Sequence, residues 1–149
     1  MTTFEPGARL VFTHGFVFSP ASTAFFATRP AASMTSNACS LFDAGQIWVI
    51  DVSQPQRVQV QKFTNIGRQP YDALVTPNGR HYIAGLFGED GLALLDLWNP
   101  EAGIRKIVPE YAKDDPKLPV FKMPHLEGRA LIGDYWFLPA VGHHEMLVI

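Results

Sequence analysis

The stretch RQPYDALVTPNGRHYIAGLFGEDGLALLD, residues 68–96, decides the fold of this chain. The turn TPNG at 76–79 joins a proline that fixes φ to an Asn-Gly pair that tolerates positive φ, and GEDG at 88–91 makes a second turn. No part of the stretch keeps the apolar period of a helix. The pattern predicts three short antiparallel strands, at 71–75, 81–86 and 92–97.

The same pattern recurs before this stretch. GQIWVIDVSQP at 45–55 aligns with DGLALLDLWNP at 90–100 at an offset of 45 residues, so that Asp51 falls on Asp96. A fourth strand is expected at 104–108. A period of about 45 residues that carries four short strands is typical of propeller blades.

A second alignment, at an offset of 54 residues, relates the stretch at 68–96 to the sequence that follows it. RQPY at 68–71 falls on KMPH at 122–125, and LALL at 92–95 falls on MLVI at 146–149. An extra polar loop at 110–119 explains the larger offset. The two registers together indicate that a further blade follows the first full one.

The sequence therefore predicts an all-β fold, a β-propeller fragment of two to three four-stranded blades. Residues 41–149 would hold the outer part of one blade, a full blade at 66–108 and most of a further blade at 120–149. Since the chain stops inside a strand and so few blades cannot close a ring, we expect a piece of a larger propeller. Residues 1–40 lack clear alternation, and we expect an atypical leader there, either loosely structured or not natively continuous with residues 41–149.

Composition excludes several classes of protein. A formal net charge of −2 leaves no basic footprint for nucleic acid. The single cysteine excludes an intramolecular disulfide framework. The chain carries no P-loop, no dinucleotide-binding glycine motif, no nucleophile elbow and no helical zinc motif, and its start makes a poor signal peptide.

Candidate site residues gather at one end of the predicted blades, because alternate turns of an antiparallel sheet lie at the same end. Arg68 is a candidate clamp for a carboxylate or phosphate, or else a surface ion-pair residue. Asp72 is a candidate general base, or a carboxylate that binds backbone amides between blades. His125 is a candidate ligand or catalytic group, or simply a solvent-facing residue at a strand start, and His143 is either a second site histidine or a polar turn residue.

Three strings then give the chain a family resemblance: GRQPYDALVTPNGRHYIAGLFGEDGLALLDLW, KMPHLEG and FLPAVGHHEMLV, at 67–98, 122–128 and 137–148. Over residues 41–149 the chain resembles the NirF family of heme d1 biosynthesis proteins, whereas residues 1–40 do not. The resemblance implies an eight-bladed propeller related to the heme d1 domain of cytochrome-type nitrite reductases. It also implies a periplasmic protein of denitrification, soluble or lipid-anchored, with nitrite reductase and other heme d1 maturation proteins as possible partners.

The resemblance also implies roles for individual residues. Pro124-His125 resembles the pair that supplies a distal histidine over the heme iron in the reductases, so His125 is a candidate iron ligand, and His143 is a looser match to a second histidine. Arg68 would anchor a carboxylate of heme d1 or its dihydro precursor, with Tyr71 and Asp72 as polar partners. PYDA at 70–73 replaces the Leu-His-Asp-Gly of the reductases, which argues against nitrite reduction.

Three functions stay open at this point. The first is an enzyme that modifies a late tetrapyrrole precursor, with His125 as acid or base. The second is a non-catalytic heme d1 carrier or chaperone. The third is a propeller scaffold that binds protein partners only.

Overall fold

The computed structural model describes residues 17–19, 22–27, 36–110, 126–140 and 144–149. In these ranges every strand belongs to one of three antiparallel sheets. The first sheet contains β1 (Val17–Ser19), β2 (Ser22–Ala27), β3 (Ser36–Leu41), β4 (Gln46–Asp51) and β5 (Gln59–Phe63). The second contains β6 (Pro70–Val75), β7 (His81–Leu86), β8 (Leu92–Asp96) and β9 (Ile104–Ile107), and the third β10 (Ala130–Ile132), β11 (Tyr135–Ala140) and β12 (Glu145–Val148).

The second sheet is the blade that the sequence predicted. Its strands β6 to β9 pair in sequence order, as four-stranded blades do. The first turn closes as expected: Gly79 takes φ of +74° and donates to the Thr76 carbonyl at 2.7 Å, and the Asn78 side chain accepts from the Arg80 amide at 3.0 Å. The all-β propeller prediction is confirmed.

The first sheet extends further toward the N-terminus than the sequence indicated. Strand β3 begins at Ser36, pairs with β4 over its whole length and is buried at residues 38–41. It starts 45 residues before β7, the same offset that relates the later strands. Small residues such as Ala38 and Ser40 gave no alternation because this strand is covered on both faces.

The third sheet departs from the predicted register at its first strand. The offset of 54 holds for β11, which starts 54 residues after β7, and it would place residues 126–129 in a strand equivalent to β6. Residues Leu126–Gly128 form a 3₁₀ helix instead, and the strand that pairs with β11 begins at Ala130. Leu126 is fully buried against Leu74 and Leu138. This apolar contact packs the 3₁₀ helix against the sheets, and strand pairing begins after it at β10.

Two apolar clusters hold the three sheets together. Residues on alternate strand positions divide between them: Ala93 and Leu95 of β8 face the first sheet, whereas Leu92 and Leu94 face the third. Between the first two sheets the Ser40 and Tyr82 hydroxyls form a buried hydrogen bond of 2.7 Å. The second sheet is thus a central layer with both faces covered. Across the described ranges no helix is long and apolar enough to cross a bilayer.

Candidate ligand-binding cleft

Three connections meet at one end of the first two sheets, which we call the cleft end. They are the β3–β4 turn at 42–45, the loop at 64–69 that leads into β6, and the β7–β8 turn at 87–91. The loop is fixed to the last turn by two backbone bonds, from the Phe87 amide to the Gln69 carbonyl at 2.8 Å and from the Gly88 amide to the Arg68 carbonyl at 3.2 Å. The predicted placement of Arg68 beside the β7–β8 turn is therefore present in the structure.

These connections surround a cleft of about 480 Å³, a volume within the range of small-molecule sites. Its lining comes from the turns and loops next to both sheets, and polar and apolar atoms contribute comparable shares of its surface. Only Ala44 contributes an apolar side chain. The lining residues are Asp43, Ala44, Gly45, Asn65, Gly67, Arg68, Gln69 and Gly88.

Arg68 is the basic residue of the cleft lining. Its side chain is 73% exposed, and its Nε lies 3.5 Å from Oε2 of Glu89. Glu89 also pairs with Lys106 of β9, so this carboxylate is shared between two cations. The arrangement holds the guanidinium at the cleft without enclosing it, and an exposed guanidinium is well suited to a carboxylate.

Tyr71 and Asp72 lie in a β-bulge of β6. Pro70 pairs with Leu86 and Ala73 pairs with Ala84, so three steps on β6 oppose two on β7. Bulges turn side chains away from the regular alternation and are frequent beside binding sites. Tyr71 is half-buried next to the cleft, whereas Asp72 is only 2% exposed and does not line it.

An aromatic triad stands beside the cleft, and sequence reasoning missed two of its members. The ring of Phe42 lies 6.1 Å from Tyr71 and 5.5 Å from Phe87, and the last two rings are 5.4 Å apart, all measured between centroids. Phe42 directly precedes the lining residue Asp43, and Phe87 directly precedes Gly88. The repeat contained the signal, since the offset of 45 places Phe42 on Phe87.

The backbone around the cleft is unusually constrained. Asn65 and Gln69 both line it and both have positive φ, +57° and +52°. Gly67 has φ of +133°, and a Cβ there would lie 2.7 Å from Leu86 and 2.9 Å from Glu89. Strained conformations of this kind persist where surrounding structure enforces them and are concentrated at binding sites.

The two predicted site histidines, His125 and His143, lie outside the described residues. Within the ranges that are described, no group of three or more His, Cys, Asp or Glu side chains is arranged to hold a metal ion. The structure thus places Arg68 in the lining of the cleft, whereas Tyr71 is half-buried outside that lining and Asp72 is buried. The roles of the histidines stay predictions.

The sheets and the cleft define a class of protein, and comparison with known families agrees with it. The chain belongs to the cytochrome D1 heme domain family, whose model matches residues 26–149. That match includes residues 26–40, which the sequence analysis had placed outside the resemblance. The three sheets are accordingly blades of a β-propeller.

Two curated relatives are similar over most of the chain. Protein NirF of Pseudomonas aeruginosa and Protein NirF of Stutzerimonas stutzeri are each 56% identical to it over 110 residues, which is 74% of this chain. The aligned part makes up 28% of either relative, so the chain spans little more than a quarter of their length.

Proposed function

We propose that this protein acts in heme d1 biosynthesis by binding a late tetrapyrrole precursor at the cleft end. Membership of the cytochrome D1 heme domain family and the similarity to Protein NirF support this reading. The observation that carries it is Arg68, whose guanidinium is 73% exposed at a cleft of about 480 Å³. In this proposal the protein works in the periplasm of a denitrifying cell and serves assembly of the nitrite reductase cofactor.

The described residues fit the periphery of such a ligand. Arg68 would bind a carboxylate of the tetrapyrrole, because its guanidinium offers paired donors on a planar group. Tyr71 would contribute a hydroxyl from the bulge. Asp72 is buried, so in this proposal it supports Tyr71 through polar contacts and does not act as a general base. His125 and His143 complete the proposed set, with His125 as acid, base or iron ligand.

A carrier is the second candidate function, and the shared carboxylate favours it. Glu89 holds Arg68 and Lys106 together, and an ion pair of this kind can yield a guanidinium to a ligand and take it back. A carrier would pass heme d1 or its precursor to nitrite reductase or to other maturation proteins. It predicts binding without conversion of the ligand.

Replacement of Arg68 tests the proposal. Dihydro-heme d1 is titrated under anaerobic conditions into three proteins: the wild type, Arg68→Ala and Arg80→Ala. Each is prepared as the longest native polypeptide that carries these residues. Arg80 is the matched control, because it is also an arginine paired with a carboxylate but lies at the opposite end of the second sheet.

We expect Arg68→Ala to weaken binding by about tenfold, the effect of losing one charge-assisted contact, and Arg80→Ala to leave it unchanged. Equal affinity in all three proteins would reject the cleft as the site. Absence of binding to the wild type would reject the tetrapyrrole function itself.

A further inference from the structure

The aromatic triad of Phe42, Tyr71 and Phe87 is separate from the apolar packing between the sheets. The cluster between the first two sheets consists of buried aliphatic residues and Tyr82, and none of the three rings belongs to it or to the other clusters of the described residues. All three rings are half-buried, so each keeps a surface that solvent reaches. A group whose only purpose was to join the sheets would be expected inside those clusters.

The triad also belongs to one particular contact, the one between the first and second sheets. Phe42 belongs to the first sheet's turn and Phe87 to the equivalent turn of the second, 45 residues later. The offset of 54 that relates the second and third repeats places Phe87 on Val141, so the next repeat has no aromatic residue there. The paired phenylalanines are therefore a feature of the contact between the first two sheets, where the cleft lies, and the third repeat does not carry an equivalent one.

The rings of the triad are inclined to one another. Phe42 meets Tyr71 and Phe87 edge to face, with interplanar angles of 75° and 63°, and the planes of Tyr71 and Phe87 are tilted by 52°, so no two of the rings stack on each other. Such an arrangement presents ring edges and faces together, which is the geometry that aromatic groups prefer when another ring joins them. The cleft with Arg68 begins at the next residue of both turns.

We infer that Phe42, Tyr71 and Phe87 form an apolar wall beside the cleft and bind the flat face of a conjugated ring system whose carboxylate is held by Arg68. The inference rests on the proposed function and adds the residues that select a macrocycle over a simple organic acid. Arg68 alone would bind any carboxylate. An aromatic wall beside it requires an extended apolar surface in the same molecule, and burial of that surface supplies most of the affinity.

Leucine substitutions separate binding from packing, because leucine keeps an apolar side chain and removes the ring. Phe42→Leu and Phe87→Leu are compared with Phe87→Tyr, which restores the ring, and with Trp136→Leu. Trp136 is a half-buried aromatic residue between the second and third sheets and serves as the control. Dihydro-heme d1 is the probe, and the thermal midpoint of each variant is measured alongside the dissociation constant.

We expect each Phe→Leu change to raise the dissociation constant by about tenfold, while Phe87→Tyr and Trp136→Leu stay within about twofold of the wild type. Wild-type affinity in Phe42→Leu and Phe87→Leu would overturn the aromatic wall and leave the proposed function standing. A loss of affinity in Trp136→Leu as large as theirs would also overturn it, by showing a general effect on the fold. If the wild type binds no dihydro-heme d1, the proposed function fails and the inference fails with it.

Discussion

Two arginines of the second sheet show how geometry separates a binding residue from a structural one. Arg80 donates from Nε and Nη2 to the same oxygen of Asp96, at 3.0 and 2.7 Å, and its guanidinium also lies over the ring of Trp98. Within the described part of the chain, Arg68 makes only the 3.5 Å ion pair with Glu89, and it is largely exposed. Short, aligned contacts bind the first guanidinium to its own sheet, whereas the second can exchange its carboxylate for that of a ligand.

The Arg80–Asp96 pair predicts a pH effect on stability. The hydrogen bond from Arg80 lowers the pKa of Asp96 to about 2, so the folded state holds this carboxylate ionised at pH values where the unfolded chain protonates it. Its contribution is complete above the unfolded pKa of about 3.9 and is lost as the pH falls toward 2. Asp96→Asn should therefore lower the urea midpoint at pH 5 and make less difference at pH 2.

Arg80→Ala provides the control for that measurement. Asparagine can keep the oxygen that accepts from the Trp98 amide, but its amide nitrogen replaces the oxygen that accepts from Arg80, so the substitution removes both the charge and the acceptor of the Arg80 hydrogen bonds. In the Arg80→Ala background the same change should have a smaller effect at pH 5. An undiminished effect there would show that Arg80 is not the cause of the lowered pKa.

Part of the candidate site could be predicted from the sequence. Arg68 and Tyr71 could be placed from the order of strands and turns, since strand direction decides which turns share an end. The burial of Asp72 could not, because the bulge that turns it inward depends on pairing between β6 and β7. Phe42 and Phe87 were within reach, as the repeat aligns them, but their contact required the two sheets to be packed together.

At the scale of elements, the loop at 64–69 determines the shape of the cleft. It anchors itself with Ile66, which is buried between the first two sheets, and with the backbone bonds to the β7–β8 turn. Gly67 permits the close approach, because its φ of +133° and its contact with Leu86 leave no space for a side chain.

Gly67→Ala should destabilise the protein by about 3 kcal/mol, since it adds backbone strain to overpacking. Gly103→Ala is the matched control: Gly103 also has positive φ, +74°, but a Cβ there would meet nothing within 4 Å. We expect that change to cost less, about 1–2 kcal/mol, because only the backbone strain at φ +74° and ψ −165° is added. Urea unfolding measures both, and equal costs would contradict the packing described at Gly67.

Strand prediction succeeded where turns were explicit and failed where they were not. The second sheet has TPNG and GEDG between its strands, and all four strands were found close to their predicted bounds. Strand β3 was missed because its small buried residues show no period. The 3₁₀ helix at Leu126–Gly128 was not visible in the repeat, because Leu126 joins the cluster with Leu74 through a tertiary contact.

At the scale of the whole molecule, the repeat assigns equivalent packing positions to successive sheets. Leu92 of β8 is fully buried against the third sheet. Its equivalent 54 residues later, Met146 of β12, is 56% exposed on the outer face of that sheet.

This difference predicts unequal costs of truncation in the 149-residue chain. Leu92→Ala should destabilise it by about 2–5 kcal/mol, the range for removing a buried leucine side chain. Met146→Ala should change the free energy of unfolding by less than about 0.5 kcal/mol, as exposed positions do. Denaturant titration of the two variants tests the order of the sheets, and a large cost at Met146 would contradict it.

Tetrapyrrole binding at the cleft end is tested most directly by a visible spectrum. The longest native polypeptide that carries these residues is mixed with dihydro-heme d1 under anaerobic conditions. We predict a shift of the spectrum on mixing that His125→Ala weakens or abolishes. Slow conversion to a new chromophore after the shift would identify an enzyme, and a stable shift would identify a carrier. A spectrum that is only the sum of ligand and protein would contradict the account and leave a propeller that binds other proteins.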